Sequence, residues 1–241
     1  MRSKRGVLFE RFHYVARKDE GSVNLDFSQI VPSIPFILAG IAVTLKIVVF
    51  AVLLGFVLGV ILALMKIGRM KVLTWFADAY TSVFRGTPLV LQLVLIYFGI
   101  PQLTGVEIDA FPAAVIAFGL NSAAYVSEII RAGILAVDKG QREAALALGV
   151  PYKLMMRDII LPQALKNILP ALMNEFITLT KESAVVTVIG AMDVMRRAYI
   201  VGGQVYRYIE PLLIAGLIYY VLVMLLTLLG KALEGRLRKS D

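Results

Sequence analysis

Five long runs of apolar residues follow one another along the chain, with polar segments between them. They occupy residues 36–65, 72–100, 112–130, 168–190 and 211–229. An α-helix needs roughly 20 such residues to cross the hydrocarbon core of a bilayer. Lipid offers the backbone no hydrogen-bond partners, so a spanning segment satisfies its own groups as a helix. The pattern therefore predicts an all-α integral membrane protein with about five transmembrane helices.

The polar segments divide the chain into three parts. A polar N-terminal tail covers residues 1–35, a membrane domain covers residues 36–232, and a basic tail covers residues 233–241. For the N-terminal tail, a short helix at the membrane surface and a flexible segment are equal alternatives. The apolar stripe of such a helix would consist of Leu8, Phe9, Phe12 and Val15.

The distribution of lysine and arginine predicts the orientation. Cytoplasmic segments carry an excess of these residues. They are frequent in the segment 131–167 and in the C-terminal tail, whereas the segment 99–111 has none. With five crossings, we expect the C-terminus inside, the N-terminus outside, and the polar segment 191–210 outside despite its arginines. The first run then ends inside, at the basic cluster of Lys66, Arg69 and Lys71.

Composition excludes several classes of site. The chain of 241 residues is 59% apolar, above the value of about 45–50% for soluble domains, and its net charge is +8. In a membrane protein this charge belongs to the cytoplasmic flanks, so we expect no nucleic acid partner. The absence of cysteine excludes disulfides, thiolate nucleophiles and iron–sulfur clusters. The only histidine, His13, lies in the polar tail, which excludes a histidine-based metal site.

The charged segment between the third and fourth runs contains a helical motif. It reads Glu143-Ala144-Ala145, three residues, Gly149, nine residues, Ile159, one residue, and Leu161-Pro162. Alanine and leucine favour a helix, and Glu143 suits a helix N-terminus. Gly149 can end this helix, and Pro151 can start the next one. The small residues would allow the backbone of another protein to approach closely.

The second run is broken at Arg85-Gly86-Thr87-Pro88. Thr87 followed by Pro88 is typical of a helix start, with Thr87 as the N-cap. Broken helices of transporters commonly line a substrate path with free N–H groups, so we place Arg85, Thr87 and Gln92 on such a path. A plain helix preceded by an interfacial segment is the equal alternative, with anchors at Trp75, Tyr80 and Arg85.

Polar residues recur at helical spacing in the third run. Asn121, Tyr125 and Glu128 are four and three residues apart, so they share one face of a helix. Polar side chains inside a span usually face other helices or a cavity, and Asn121 and Ser122 fall near the middle of the membrane. We therefore add Asn121, Ser122 and Tyr125 to the candidate path. For Glu128, near the cytoplasmic end, pairing with Arg131 is the expected role.

The fourth run carries charged residues, which are costly at bilayer depth unless they are satisfied. Lys181 and Glu182 follow Thr178 by three and four residues, so the three project to one side of a helix. We interpret that side as the lining of a translocation cavity. Lys181 or the N–H groups near Thr87 could hold an anionic group there, and Glu182 could hold a cationic one. Ion pairing between two subunits is the alternative.

The spacing from Glu143 through Gly149 to Pro162 resembles the EAA motif of ABC importer permeases, and the match covers twenty residues. The segments 84–89 and 120–125 are similar to the corresponding signatures of the polar amino-acid branch of that family. The resemblance covers nearly everything after residue 36. It implies the type I importer permease fold and the plasma (inner) membrane of a prokaryote.

The resemblance further implies a set of partners. In this family the motif is a cytoplasmic coupling helix that docks on a separate ABC ATPase dimer. Two permease subunits, identical or paralogous, pair around the path, and a binding protein delivers the substrate, here a polar amino acid, from outside. The residues assigned to ATPase coupling are Glu143, Ala144, Ala145, Gly149, Leu161 and Pro162.

The same resemblance places the nucleotide on another chain. This sequence contains no G-x-x-x-x-G-K-[ST] phosphate loop, so ATP and Mg²⁺ are expected on the partner ATPase. We expect no cofactor bound directly to this chain and no enzymatic activity of its own.

Two other classes of function compete with an ATP-driven importer. A secondary transporter would need no ATPase and would use an ion relay of Lys46, Glu175, Lys181 and Glu182. A membrane-embedded enzyme would need a nucleophile or paired ligands, and the runs contain neither cysteine nor histidine. Neither alternative explains the spacing of the coupling motif.

Overall fold

Helices dominate the described part of the chain, which contains no strand. The computed structural model describes residues 25–238, so the apolar stripe predicted for the N-terminal tail lies outside the described residues. The all-α class is confirmed. We number the helices α1 Val31–Ile67, α2 Lys71–Gly86, α3 Leu89–Thr104, α4 Ala110–Leu135, α5 Lys139–Ala147, α6 Leu161–Glu182, α7 Val194–Val205 and α8 Ile209–Arg238.

Short irregular helical turns extend or interrupt these helices. A π turn, Leu95–Gly99, lies inside α3. Tyr152–Leu154 and a second π turn, Met155–Ile160, lead without a break into α6, and a 3-10 turn, Ser183–Ile189, follows it. The fourth helical run therefore begins inside the segment 131–167, which the sequence predicts as a connecting loop.

Only some of the predicted spans are single apolar helices. By length and composition, α1, α4 and α8 could each cross a membrane. Helices α2 and α3 reach that length only together, and they are bent by 103° at the break between them. Helix α6 is not apolar enough to join this group, because polar residues such as Asn174 and Glu175 lie on it. The described residues thus offer up to four candidate spans, where the apolar runs predict five.

Glycines bring α1 and α4 into close contact. A Cβ atom on Gly55 would lie 2.8 Å from the Cβ of Ser122, and one on Gly59 would lie 2.6 Å from Cγ1 of Val126. Small residues at a helix interface allow two backbones to approach in this way. The two glycines therefore fix the distance between the helices that form the centre of the chain.

The segment 191–210, which the sequence predicts as a polar outer segment, contains α7. Three apolar residues recur at helical spacing, and all three are buried against α1 and α8: Val194, Ala198 and Val201. Asp193 caps the helix, because its carboxylate accepts a hydrogen bond from the backbone N–H of Arg196 at 2.8 Å. The hydroxyl of Tyr219 on α8 donates to the same carboxylate at 2.9 Å. The segment is therefore an amphipathic helix that is fastened to its neighbours.

Two helix ends differ from those that the sequence predicts. The first helix starts at Val31, before the predicted start at Phe36. Ile30, in the turn that precedes the helix, is fully buried in a cluster with residues of α7 and α8, and this contact holds the start of the helix in place. Helix α8 continues through Gly230 to Arg238 instead of ending at the glycine. A Cβ atom on Gly230 would lie 2.8 Å from Cγ of Met173, so this glycine serves the packing of α8 on α6.

The α1–α4 contact leads to a prediction for Gly59→Ala. The added methyl group has no space beside Val126, and overpacking of this kind costs about 1–3 kcal/mol of the free energy of unfolding. The matched control is Gly235→Ala in α8, where a Cβ atom meets nothing within 4 Å. Alanine is the better helix former by about 1 kcal/mol, so the control should keep or raise the thermal midpoint of the detergent-purified protein. Equal midpoints for the two variants would contradict the close contact.

Candidate functional site

The charged segment predicted to contact a partner folds as α5 and the turn after it. Asp138 is the N-cap, and its carboxylate accepts a hydrogen bond from the backbone N–H of Gly140 at 2.7 Å. Helix α5 starts at Lys139, so Glu143 lies in the middle of the helix and its predicted place at the N-terminus is wrong. Asp138, rather than Glu143, therefore makes the favourable interaction of an acidic side chain with the helix dipole.

Gly149 ends α5, as the sequence predicts. Its φ angle of 69° is left-handed, a conformation that glycine adopts readily because it has no Cβ. Its N–H donates to the carbonyl of Leu146 at 3.0 Å, and the N–H of Val150 donates to the carbonyl of Ala145 at 2.9 Å. These two bonds form a Schellman motif, which fixes the direction in which the chain leaves the helix. Pro151 then opens the next helical stretch.

The two faces of α5 have different surroundings. Ala145 is 2% exposed and belongs to a buried cluster with Ile134 of α4 and Ile160. By contrast, Leu146 is 63% exposed and Leu148 is 82% exposed. We define a coupling surface by seven exposed residues of this segment, which are Glu143, Ala144, Leu146, Leu148, Gly149, Leu161 and Pro162.

Gln92 holds the corner between α2 and α3 together. Its side-chain amide donates to the carbonyl of Phe84 at 2.8 Å and to the hydroxyl and the carbonyl of Thr87 at 2.9 and 3.1 Å. From α4, the amide of Asn121 donates to Oε1 of Gln92 at 3.0 Å and to the carbonyl of Phe84 at 3.2 Å. Both amide side chains are buried, where polar groups require such partners. The amides therefore satisfy carbonyl groups that the helix break leaves open.

Thr87 does not have the role that the sequence predicts for it. Its hydroxyl donates to the carbonyl of Val83 at 2.9 Å, within the last turn of α2. The residue that precedes the first turn of α3 is Pro88. Thr87 therefore ends α2 and is not an N-cap of α3, because its hydroxyl bonds backwards to the carbonyl four residues earlier.

Arg85 and Tyr125 contact each other beside this corner. The guanidinium group of Arg85 lies over the ring of Tyr125, 5.4 Å from its centroid, in a cation–π arrangement. A cavity of about 260 Å³ opens at the corner, with mainly apolar walls and with Thr87 and Gln92 as polar residues. The fold thus brings five residues of the predicted path to the junction of α2, α3 and α4: Arg85, Thr87, Gln92, Asn121 and Tyr125.

The other predicted path residues lie elsewhere on α4 and α6. Ser122 is fully buried, and it faces Gly55 of α1. Thr178 is half-buried on α6. Lys181 and Glu182, in the last turn of the same helix, are exposed, so both charged groups are accessible on this chain to a ligand or to a second subunit.

A charged network that sequence reasoning missed joins three helices. The side chain of Lys66, at the end of α1, is only 2% exposed, and its ammonium group pairs with Glu128 of α4. The same group lies 3.4 Å from the carboxylate of Asp78 on α2 and donates to the hydroxyl of Thr81 at 2.8 Å. Arg131 lies 2.8 Å from the carboxylate of Glu128, which confirms the pairing predicted from their spacing. Nothing local distinguishes Lys66 from the exposed basic residues beside it.

Comparisons with known proteins agree with these features. The family model described as "binding-protein-dependent transport system inner membrane component" matches residues 55–239. The arginine transport system permease protein ArtQ of Bacillus subtilis is 66% identical over 219 residues, which cover 91% of this chain and 100% of that protein. The putative glutamine transport system permease protein GlnP of Rickettsia felis is 53% identical over 206 residues, which cover 86% of this chain and 94% of that protein.

A solved structure shares the fold. One chain of the "crystal structure of an amino acid ABC transporter with histidines" superposes on this chain with a TM-score of 0.85, and the two sequences are 48% identical. The superposition covers 89% of this chain and 100% of that one. The predicted permease fold is therefore confirmed. Since the family model matches most of its length, the chain belongs to the family of inner membrane components of binding-protein-dependent transport systems.

Proposed function

We propose that this chain is the membrane permease subunit of an ATP-driven importer for polar amino acids. The coupling surface is the observation that carries the proposal. Helix α5 is capped at both ends and buried on the side of Ala145, while Leu146 and Leu148 are left exposed. A helix held rigidly on one side and open on the other suits a groove on a separate ATPase subunit. ATP and Mg²⁺ would bind there, and hydrolysis on that subunit would drive transport.

The names of the relatives support the substrate class. They are permeases of arginine and glutamine transport systems, and these two amino acids share an α-carboxylate, an α-ammonium group and a polar side chain. We propose that such a substrate passes Arg85 and Tyr125 and the side of α6 that carries Thr178. Lys181 offers a cation for the carboxylate, and Glu182 offers an acid for the ammonium group.

The buried amides contribute to this path indirectly. The side-chain N–H groups of Gln92 and Asn121 both donate to the carbonyl of Phe84, and those of Asn121 also donate to Oε1 of Gln92. A group engaged in this way gains little from a ligand, because it would have to give up an equivalent bond. We propose that these two residues shape the corner, while the exposed charged residues contact the substrate.

The assembly follows from the same proposal. Two permease subunits, identical or paralogous, would enclose the path in the inner membrane, and a binding protein would deliver substrate from outside. Five crossings, formed by α1, α2 with α3, α4, α6 and α8, put the N-terminus outside and the C-terminus in the cytoplasm. Helix α6 tolerates its charged residues if they face the path rather than lipid. The comparisons do not favour the ion-gradient alternative.

The coupling surface can be tested with Leu148→Glu. A carboxylate in an apolar groove is unfavourable, so we expect the ATPase to be lost when the complex is purified in detergent and ATP-driven uptake to fall at least tenfold. The matched control is Leu103→Glu at the end of α3, where leucine is 88% exposed and Leu148 is 82% exposed. Both variants should fold equally well, and only the first should lose the ATPase. Retention of the ATPase by Leu148→Glu would exclude this surface as the docking site.

The substrate contacts can be tested with Lys181→Ala and Glu182→Gln. Loss of a hydrogen bond to a charged group costs about 1.5–3 kcal/mol, so the KM for uptake of arginine or glutamine should rise about tenfold to a hundredfold. The control Lys71→Ala removes an exposed lysine on α2 and should leave KM unchanged. An unchanged KM in both α6 variants, with the ATPase still bound, would remove these residues from the path and leave the permease assignment intact.

The orientation can be tested with single cysteines, because the natural chain has none. We expect a membrane-impermeant maleimide to label Leu103→Cys in intact cells, and Leu148→Cys only in inverted membrane vesicles from cells that lack the partner ATPase, which would otherwise cover this position. Both positions are well exposed, so the difference in labelling reports the side of the membrane. Labelling of both positions from the same side would rule out the proposed order of crossings.

A further inference from the structure

We propose that Lys66 and its partners transmit movement of the coupling surface to the corner between α2 and α3. In this role Lys66 is a positioning residue for transport and does not touch the substrate. The inference rests on the proposed coupling of α5 to an ATPase. Its starting point is a buried ammonium group shared by α1, α2 and α4, through Glu128, Asp78 and Thr81.

One side of this network adjoins the residues that hold the coupling segment. Ile67 follows Lys66, Ile129 follows Glu128, and both pack against the buried cluster that contains Ala145 of α5. Val150, in the Schellman turn, packs against the same cluster. Closely packed side chains are nearly incompressible, so they pass on a displacement. A shift of α5 therefore reaches the ends of α1 and α4 where the network lies.

The other side of the network leads along α2 to the corner. Thr81, which accepts the hydrogen bond from Lys66, lies one turn before the end of α2. Next to it, the ring of Tyr80 packs on the ring of Phe84 with centroids 4.4 Å apart, and the Tyr80 hydroxyl donates to the carbonyl of Leu120 at 2.8 Å. The carbonyl of Phe84 is in turn an acceptor for the buried amides of the corner. Contacts thus continue from α5 to the helix break.

The charge explains why α2 follows its neighbours. An ammonium group withdrawn from water is stable only while its partners remain within reach, so separation of α2 from Lys66 is opposed strongly. Apolar contacts pass on a push, but they are not directional and do not by themselves specify which groups of two helices face each other. Helix α2 also contacts α1 through apolar groups, because Ala77 is fully buried in a cluster with Leu62, whereas Val72 and Trp75 on its outer side are 75% and 72% exposed. The charged contacts of Lys66 therefore determine which part of α2 faces the end of α1.

The test uses the complete transporter in vesicles, with its ATPase and binding protein, and measures uptake and ATP hydrolysis together. In Lys66→Met the stem of the side chain is kept and the charge is removed. We expect the amount of substrate taken up per ATP hydrolysed to fall at least tenfold, while the ATPase still copurifies. The matched control is Lys71→Met, an exposed lysine at the start of α2, for which we expect the wild-type ratio.

An effect on folding can be distinguished from an effect on transmission, because the partners of Lys66 differ in exposure. Lys66→Met leaves Glu128 paired with Arg131, and the Asp78 side chain is 62% exposed, so no buried charge is left without compensation. Glu128→Gln removes the principal partner of a buried lysine and should lower the thermal midpoint. The double variant, Lys66→Met with Glu128→Gln, should regain the midpoint but keep the low ratio of uptake to hydrolysis.

The possible outcomes distinguish this inference from the proposed function. A wild-type ratio in Lys66→Met or in the double variant would overturn it, as would a parallel fall of uptake and hydrolysis in proportion to the amount of folded protein. A wild-type chain that retains no ATPase would overturn the proposed function as well. Transmission predicts a low ratio of uptake to hydrolysis in both variants, together with a wild-type thermal midpoint in the double variant.

Discussion

Polar and charged groups that leave water need partners within the chain, and this requirement fixes how several of the helices are placed against each other. The ammonium group of Lys66 is held by residues of two other helices. The amides of Gln92 and Asn121 close the gap that a broken helix leaves. Asp193 is fully buried, and it receives hydrogen bonds from its own helix and from α8. At each place a costly group fixes the relative position of separate elements.

These polar contacts depend on the close approach of α1 to α4. Glycine at positions 55 and 59 allows the two helices to lie nearer than ordinary side chains would permit. The approach places the end of α1 beside Glu128 and leaves Asn121 directed at the corner of α2 and α3. A bulkier interface would separate the ion pair and the amides together, so packing and polar contacts are not independent.

The proposed function uses two regions that differ in rigidity. The coupling segment is fixed by an N-cap, a Schellman turn and a buried alanine, so it can receive a force without deforming. The corner between α2 and α3 is bent by 103° at a helix break, so its angle is set by the side-chain hydrogen bonds of Gln92 and Asn121 rather than by a continuous helical backbone. In the proposed mechanism of alternating access, a change of this angle has to exchange those buried bonds for others, because an amide left without a partner is costly.

The sequence by itself determined the features that depend on neighbours along the chain. Apolar runs indicated a helical membrane protein, the coupling motif indicated the family, and the pairing of Glu128 with Arg131 followed from their spacing on one helix. Gly149 ends its helix as predicted, because the left-handed turn is a local preference of glycine. In these cases the interacting groups lie within one or two turns of each other.

Only the tertiary structure decided the roles of residues whose partners are distant in sequence. Lys66 reads as one more basic residue of a cytoplasmic flank, yet it is buried because Glu128 lies beside it in the fold. Gln92 and Asn121 read as path residues, yet their amides meet each other and close a helix break. The segment 191–210 reads as polar, yet its apolar residues find cover on α1 and α8. The burial and pairing of these residues depend on elements that come together only on folding. The spacing of residues along the chain therefore does not predict them.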